Sequence, residues 1–254
     1  MTRRRFPVGK TLLYGFMSLW ALTTIYPFIW VILNSFKPRG LIRSDTFSLP
    51  IGDKFTLENY VTAFKRVDIG TAYVNSIVIS GAVTVVVMVL AGLAAYAMVR
   101  YSFRLRGFLH SMIIASMMFP VFSTIIPVFR MESSWGIVNT GSIWLTRLSV
   151  VLPQIAGNLS FAIIVLMGFI RSLPVDLEEA AYLEGYNVYQ IFFRIIMPLA
   201  KPSFATVGIF TFLWSYNDLF LQMFFLRSKK FFTITRLLNE ISSQAGTNYG
   251  LMVA

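Results

Sequence analysis

The chain has 254 residues, of which 56% are hydrophobic and 13% charged, with a mean hydropathy of +0.69. Charged residues make up about a quarter of an ordinary soluble domain, so this composition excludes one and points to a chain whose solvent is largely lipid. The net charge of +11 reads as basic residues flanking spans, with no nucleic-acid partner, and the absence of cysteine excludes a disulfide framework and thiol chemistry.

A spanning helix needs roughly 20 apolar residues. Thr2-Arg3-Arg4-Arg5 precedes the first such run, Thr11–Phe36. It is too long for a signal-peptide core and lacks a small-residue cleavage site, so it is predicted to be an uncleaved first span. Residues 34–72 are polar and broken by Pro38, Gly40, Pro50 and Gly52; they are predicted to form an external loop with a short helix near Leu57–Phe64. Ile69–Val99 is the second span, Gly107–Phe129 the third and Leu148–Ile170 the fourth. Trp135–Leu145 forms a second external loop, whose Trp135 and Trp144 suit the membrane interface. Pro202–Leu226 is the fifth span and carries one charge, Asp218. Arg3, Arg4, Arg5 and Lys10 before the first span, with Arg100, Arg104 and Arg106 after the second, place the N-terminus in the cytoplasm. The predicted organisation is 1–70 (tail, first span and external loop), then 71–254 as the transmembrane core.

The third span contains Pro120 and Pro127, and the fourth contains Pro153, Gln154, Gly157 and Asn158. Prolines free backbone carbonyls, which survive in lipid only against neighbouring helices or a wet cavity. Two readings stand: kinked helices packed in a bundle, or hinges lining a translocation path. His110 reads as an interfacial side chain. No group of residues has metal-ligand spacing, and no catalytic constellation is present.

Between the fourth and fifth spans lies a charged island, 171–202. Pro174 and the Asp176/Glu179 pair predict a helix start with a capping box. Gly185 is placed to end that helix in a left-handed conformation. Asn187 and Gln190 repeat the capping spacing before a second helix bearing Ile191, Phe192, Ile195 and Ile196, with Pro198 at its end. An apolar helix next to a membrane but outside it suits a docking surface better than a solvated loop.

The island reads Glu179-Ala180-Ala181, three residues, Gly185, nine residues, Ile195-Ile196-Met197-Pro198. It resembles the EAA motif of ABC-importer permeases, with Met197 where the family has leucine. Further pieces look like the sugar-importer branch. They are Asn75-Ser76, Leu93 to Tyr101, Met118-Phe119-Pro120 with Ile126-Pro127, and Trp214-Ser215-Tyr216-Asn217-Asp218. The likeness covers roughly residues 10–254 and is closest to the smaller permease subunit of maltose-type systems.

The resemblance implies an all-α polytopic transmembrane bundle of the type I ABC importer class in a bacterial or archaeal plasma (inner) membrane. Five spans are visible, and the family's sixth would begin at Gly250–Ala254, where the chain ends. It implies a second permease subunit, two cytoplasmic ATPases docked on the island, and an extracytoplasmic solute-binding protein. The chain lacks a phosphate-binding G-x-x-x-x-G-K-[ST] loop, so ATP and magnesium are expected on the partner ATPase, and the resemblance implies a transport subunit that is not itself an enzyme and binds no cofactor. Coupling is expected at Glu179, Ala180, Ala181, Gly185, Ile195 and Pro198. The translocation path is expected at Asn217, Asp218, Asn158 and Gln154; an acid such as Asp218 within a span is a functional candidate or a wet group near the interface. The implied cargo is a carbohydrate. The alternatives are a polyol or other non-sugar solute in the same family, or an ion-driven secondary transporter, which would show acids on several spans.

Overall fold

A computed structural model describes residues 8–245, 250 and 253. Among them all regular structure is helical. Three helices are long and apolar enough to cross a membrane, and five segments qualify if two sharply bent helix pairs each count as one span. The chain divides into two compact units, residues 1–69 with 238–254, and residues 70–237.

In the first unit, helix α1 (Val8–Ser35) is largely apolar, and residues 9–29 are all exposed, while Asn34 and Ser35 at its end are buried. Such a surface is stable only in lipid or against another apolar surface. The following segment folds on itself through helices α2 (Arg39–Ser44) and α3 (Glu58–Arg66). Lys37 is fully buried and donates to the carbonyls of Asp45 (3.0 Å) and Thr46 (2.8 Å). Asn59 donates to the carbonyls of Ser35 (2.9 Å) and Lys37 (2.7 Å), satisfying backbone that the end of α1 leaves free.

The second unit is built on two long helices, α4 (Ile69–Arg100) and α7 (Ile143–Ser172). Between them run α5 (Arg106–Ser116) and α6 (Val121–Ser134). The island follows as α8 (Asp176–Leu183) and α9 (Val188–Leu199), then α10 (Lys201–Asn217) and α11 (Leu219–Phe225). Helix α12 (Ile234–Ala245) ends the described run. On α4, Val83, Val87, Ala91 and Ala95 recur every four residues and form one buried stripe. Ala162, Leu166 and Ile170 of α7, Phe192 and Ile196 of α9, and Phe204 and Val207 of α10 pack with them in one core. A Cβ on Gly92 would lie 2.8 Å from Phe204 and 3.0 Å from Phe192, so the absence of a side chain lets both rings in.

Two of the expected spans are not single helices. The third is bent by 103° between α5 and α6, where Pro120 stands as the N-cap of α6. Proline disfavours a helical conformation in the residue before it, and here the break is nearly a right angle rather than a kink. The fifth stops at Asn217, with Asp218 outside helical geometry before α11 starts. The fourth begins at Ile143, earlier than expected, because charged Arg147 is accommodated on the helix. Within α9, residues Phe192–Ile196 form a π-helical turn. Pro198 cannot donate to the carbonyl four residues back, and the widened turn accommodates this. Of the expected start of a sixth span, residues 251, 252 and 254 lie outside the described residues.

Candidate functional site

The island folds locally as its residues dictate, with one exception. Gly185 sits at φ +85°, the Tyr186 N–H bonds the Ala181 carbonyl (3.0 Å) and the Gly185 N–H bonds the Tyr182 carbonyl (3.0 Å). This pair of bonds is a Schellman closure of α8. Asn187 and Gln190 form the reciprocal capping box, at 2.9 and 2.8 Å, that starts α9. The exception is the start of α8. Its N-cap is Val175, with no side-chain cap, so the Asp176/Glu179 box does not form. Asp176 is already inside the first turn, where its charge favours the helix dipole instead.

The two faces of α8 differ. Glu179, Ala180, Tyr182 and Gly185 are exposed, and Leu183 is 90% exposed. Ala181 is buried and belongs to the core, so only Ala180 of the two alanines offers a small outward surface. On α9, Ile191, Phe192 and Ile196 are buried, Ile195 is half-buried, and Pro198 is exposed. The acid that structures this region is one the sequence left unmarked. Glu178 is buried, 2.5 Å from Arg100 Nε through one oxygen, and accepts from the Tyr96 hydroxyl (2.7 Å) through the other. Arg100 also donates to the Leu173 carbonyl (2.9 Å), the C-cap of α7. Only the three-dimensional packing distinguishes Glu178 from Glu179, because adjacent helix residues point about 100° apart.

Near the other end of α4 lies a polar network. The Ser215 hydroxyl donates to Gln154 Oε1 (2.6 Å) and lies 3.2 Å from Ser80 Oγ. Gln154 in turn donates to Asp218 Oδ2 (3.1 Å). Asp218 Oδ1 caps α11 by accepting from the Leu221 N–H (3.2 Å). Gln222 donates to the Ser215 carbonyl (3.1 Å) and accepts from Thr233. These side chains satisfy backbone groups freed where α10 ends, as lipid requires. Gln222 and Thr233 were not expected from sequence; a glutamine in an apolar run, one turn past Asp218, is the signal that would have found Gln222.

A groove of about 400 Å³ opens beside this network. Gln154, Asn158 and Asp218 line it, with Phe161 and Trp214. Met117 and Val121, on either side of the break in the third span, close its edge. Thus three of the four expected path residues meet. Asn217 does not; it is exposed and donates to the Leu213 carbonyl of its own helix (2.8 Å). Among the described residues no group of three or more His, Cys, Asp or Glu could hold a metal ion.

Residues 88–254 match the family described as "Binding-protein-dependent transport system inner membrane component". The chain belongs to that family. Like its relatives, this binding-protein-dependent permease is a multi-pass membrane subunit without catalytic machinery of its own. It is 35% identical over 83% of its length, and 67% of the relative's, to the diacetylchitobiose uptake system permease NgcG of Streptomyces coelicolor. It is 32% identical over 85% of its length, and 73% of the relative's, to the trehalose transport permease SugB of Mycobacterium tuberculosis. Among solved structures, the permease superposes with a TM-score of 0.82 and 21% identity on a chain of a bacterial ABC transporter that imports alginate, covering all of this chain and 92% of that one. The fold is therefore that of an ABC importer permease.

Proposed function

We propose that this permease forms half of a carbohydrate translocation path and takes its energy from a separate ATPase docked on α8. The observation that carries the coupling role is the two-sided character of α8. One side is fixed in the core by Ala181 and Glu178, while the other presents Glu179, Ala180 and a sharp glycine end. A short, rigid, small-surfaced helix outside the apolar spans is suited to seat in a partner's cleft. Ile195 and Pro198 shape the second helix behind it. The complete machine is a second permease, two ATPases that hold ATP and magnesium, and a solute-binding protein on the far side. In this arrangement the N-terminus and the island face the cytoplasm, in line with the arginines that end and follow α4.

The cargo reading rests on the groove and on the relatives named for diacetylchitobiose and trehalose uptake. Phe161 and Trp214 supply aromatic surface, and Gln154, Asn158 and Asp218 supply donors and acceptors. Apolar walls with a few polar groups suit a sugar ring, which has apolar faces and a hydroxyl rim.

Two measurements test this. The chain is co-expressed with its chromosomal neighbours, purified in mild detergent, and its companions identified by mass spectrometry. A second permease and an ATPase are expected, and recovery of the chain alone would overturn the reading. Uptake of labelled trehalose and diacetylchitobiose by the reconstituted complex is then compared with uptake of a polyol such as sorbitol. Polyol uptake without either disaccharide would remove the carbohydrate assignment and leave the coupling role standing.

A further inference from the structure

Two ion pairs of the described residues differ in their surroundings. Lys54–Asp45 is solvent-exposed on both sides, whereas Arg100–Glu178 is nearly dry, with side chains 10% and 5% exposed. A buried pair of this kind is weak as a source of stability, because an apolar replacement of the same volume is often as stable. Its contribution lies in fixing one geometry. Here the geometry joins three elements. Both Glu178 oxygens are held by α4, through Arg100 and Tyr96. The same guanidinium holds the carbonyl that closes α7. By contrast, the covalent links to α8 are a three-residue stretch before it, Leu173–Val175, and the glycine elbow after it.

Helix α4 is suited to carry movement. It runs 32 residues with no proline, while α1 contains Pro27, α7 contains Pro153, and the two remaining candidate spans are bent by 103° and 82°. From Arg100 back to Ser80 the helix extends about 30 Å. Ser80 Oγ there lies 3.2 Å from the Ser215 hydroxyl, which donates to Gln154 on the wall of the groove.

We propose that Arg100, Glu178 and Tyr96 form a tie that makes α8 and α4 move as one body, so that displacement of α8 by the ATPase reaches the groove along α4. The proposal rests on the reading of α8 as the dock. Arg100, Glu178 and Tyr96 are positioning residues. They touch neither cargo nor nucleotide, and without them α8 can stay docked and shift while α4 stays still.

The test uses the assembled complex in lipid, with MgATP as the probe. The chain has no cysteine, and a Cβ on Gly157, which lines the groove, meets nothing within 4 Å. Gly157→Cys therefore reports groove accessibility through its rate of labelling by a maleimide, read on this chain by mass. With the tie intact, MgATP changes that rate by about tenfold, a typical size for coupling between sites. In Arg100→Gln and in Glu178→Gln the ATPase still co-purifies, but the response to MgATP disappears. The double variant is no worse than either single one, because the groups act as one unit. A merely structural pair would lower the yield and leave the MgATP response of the surviving complex unchanged, which overturns the proposal. So does a parent complex whose labelling ignores MgATP. If both charge variants fail to assemble, Tyr96→Phe decides. It removes one hydroxyl and is expected to reduce the response about threefold, within the range of measured couplings, and an unchanged response overturns the tie. The dock is tested separately by Ala180→Trp. If that variant retains the ATPase, the reading of α8 fails; if it loses the ATPase while Arg100→Gln responds normally, only the tie fails.

Discussion

The two ends of the α4–α7 pair solve different problems with polar groups. At the Arg100 end there is one ion pair and one hydroxyl, surrounded by the apolar side chains of α7 and α9. At the Ser80 end there is a chain of neutral side chains, Ser80, Ser215, Gln154, Gln222 and Thr233, with Asp218 as the one acid. The first end has continuous helices to join and needs a single strong directional contact. The second surrounds a broken helix, whose free carbonyls and N–H groups need several partners in a medium without water. An ion pair provides the linkage at the Arg100 end, whereas mostly neutral hydrogen bonding, with Asp218 capping α11, accommodates the irregular backbone at the Ser80 end.

The largest effect is expected at the island's elbow. Gly185→Val has open space for its side chain, so its effect comes from the backbone. A left-handed non-glycine residue costs about 1–2 kcal/mol, and a β-branched one more. Membrane insertion is expected to survive, while substrate-stimulated ATP hydrolysis is lost; normal stimulation in the assembled variant would sink the coupling role. Next in size is Gly92→Val in the apolar core, where the new side chain collides with Phe204 and Phe192. Overpacking of this kind costs about 1–3 kcal/mol, read as a lower unfolding temperature in detergent.

At the Ser80 end, Gln222→Leu leaves the Thr233 hydroxyl without its acceptor and the Ser215 carbonyl with only its longer bonds, at 3.4 Å, from Gln154 and the Asp218 N–H. An expected cost of about 1–3 kcal/mol follows from burying an unpaired polar group, and unchanged thermal stability would show that the network is dispensable. A smaller effect is expected from Asn187→Ala, which removes the capping box of α9 at about 1 kcal/mol, measured by the same unfolding scan. Asn217→Ala is the smallest. Its side chain bonds only its own helix outside the groove, so stability is expected to stay within about 0.5 kcal/mol and uptake unchanged; a clear rise in KM would return Asn217 to the path.

Much of this was legible from residues alone. Long uncharged runs located α1, α4 and α7 because lipid demands apolar helices of a minimum length. Gly185 and the Asn187/Gln190 pair were legible because caps depend on a few adjacent residues and little else. The Asp176/Glu179 box was expected and did not form, since Val175 takes the cap position and leaves Asp176 one residue too far inside. The prolines of the third span were read as kinks or hinges, and the break of the fifth at Asp218 was not foreseen. Proline reports that a hydrogen bond is missing, but the angle depends on what the two halves pack against.

By itself the sequence determined the solvent of this protein, the places where its long helices run, and the glycine elbow of the island, all of which follow from local composition and backbone stereochemistry. Only the tertiary structure decided which neighbouring acid is buried, which of Ala180 and Ala181 faces outward, and which polar residues line a common groove. Those choices depend on contacts between residues far apart in the chain, 78 positions for Arg100 and Glu178 and 64 for Gln154 and Asp218, and no local pattern encodes them.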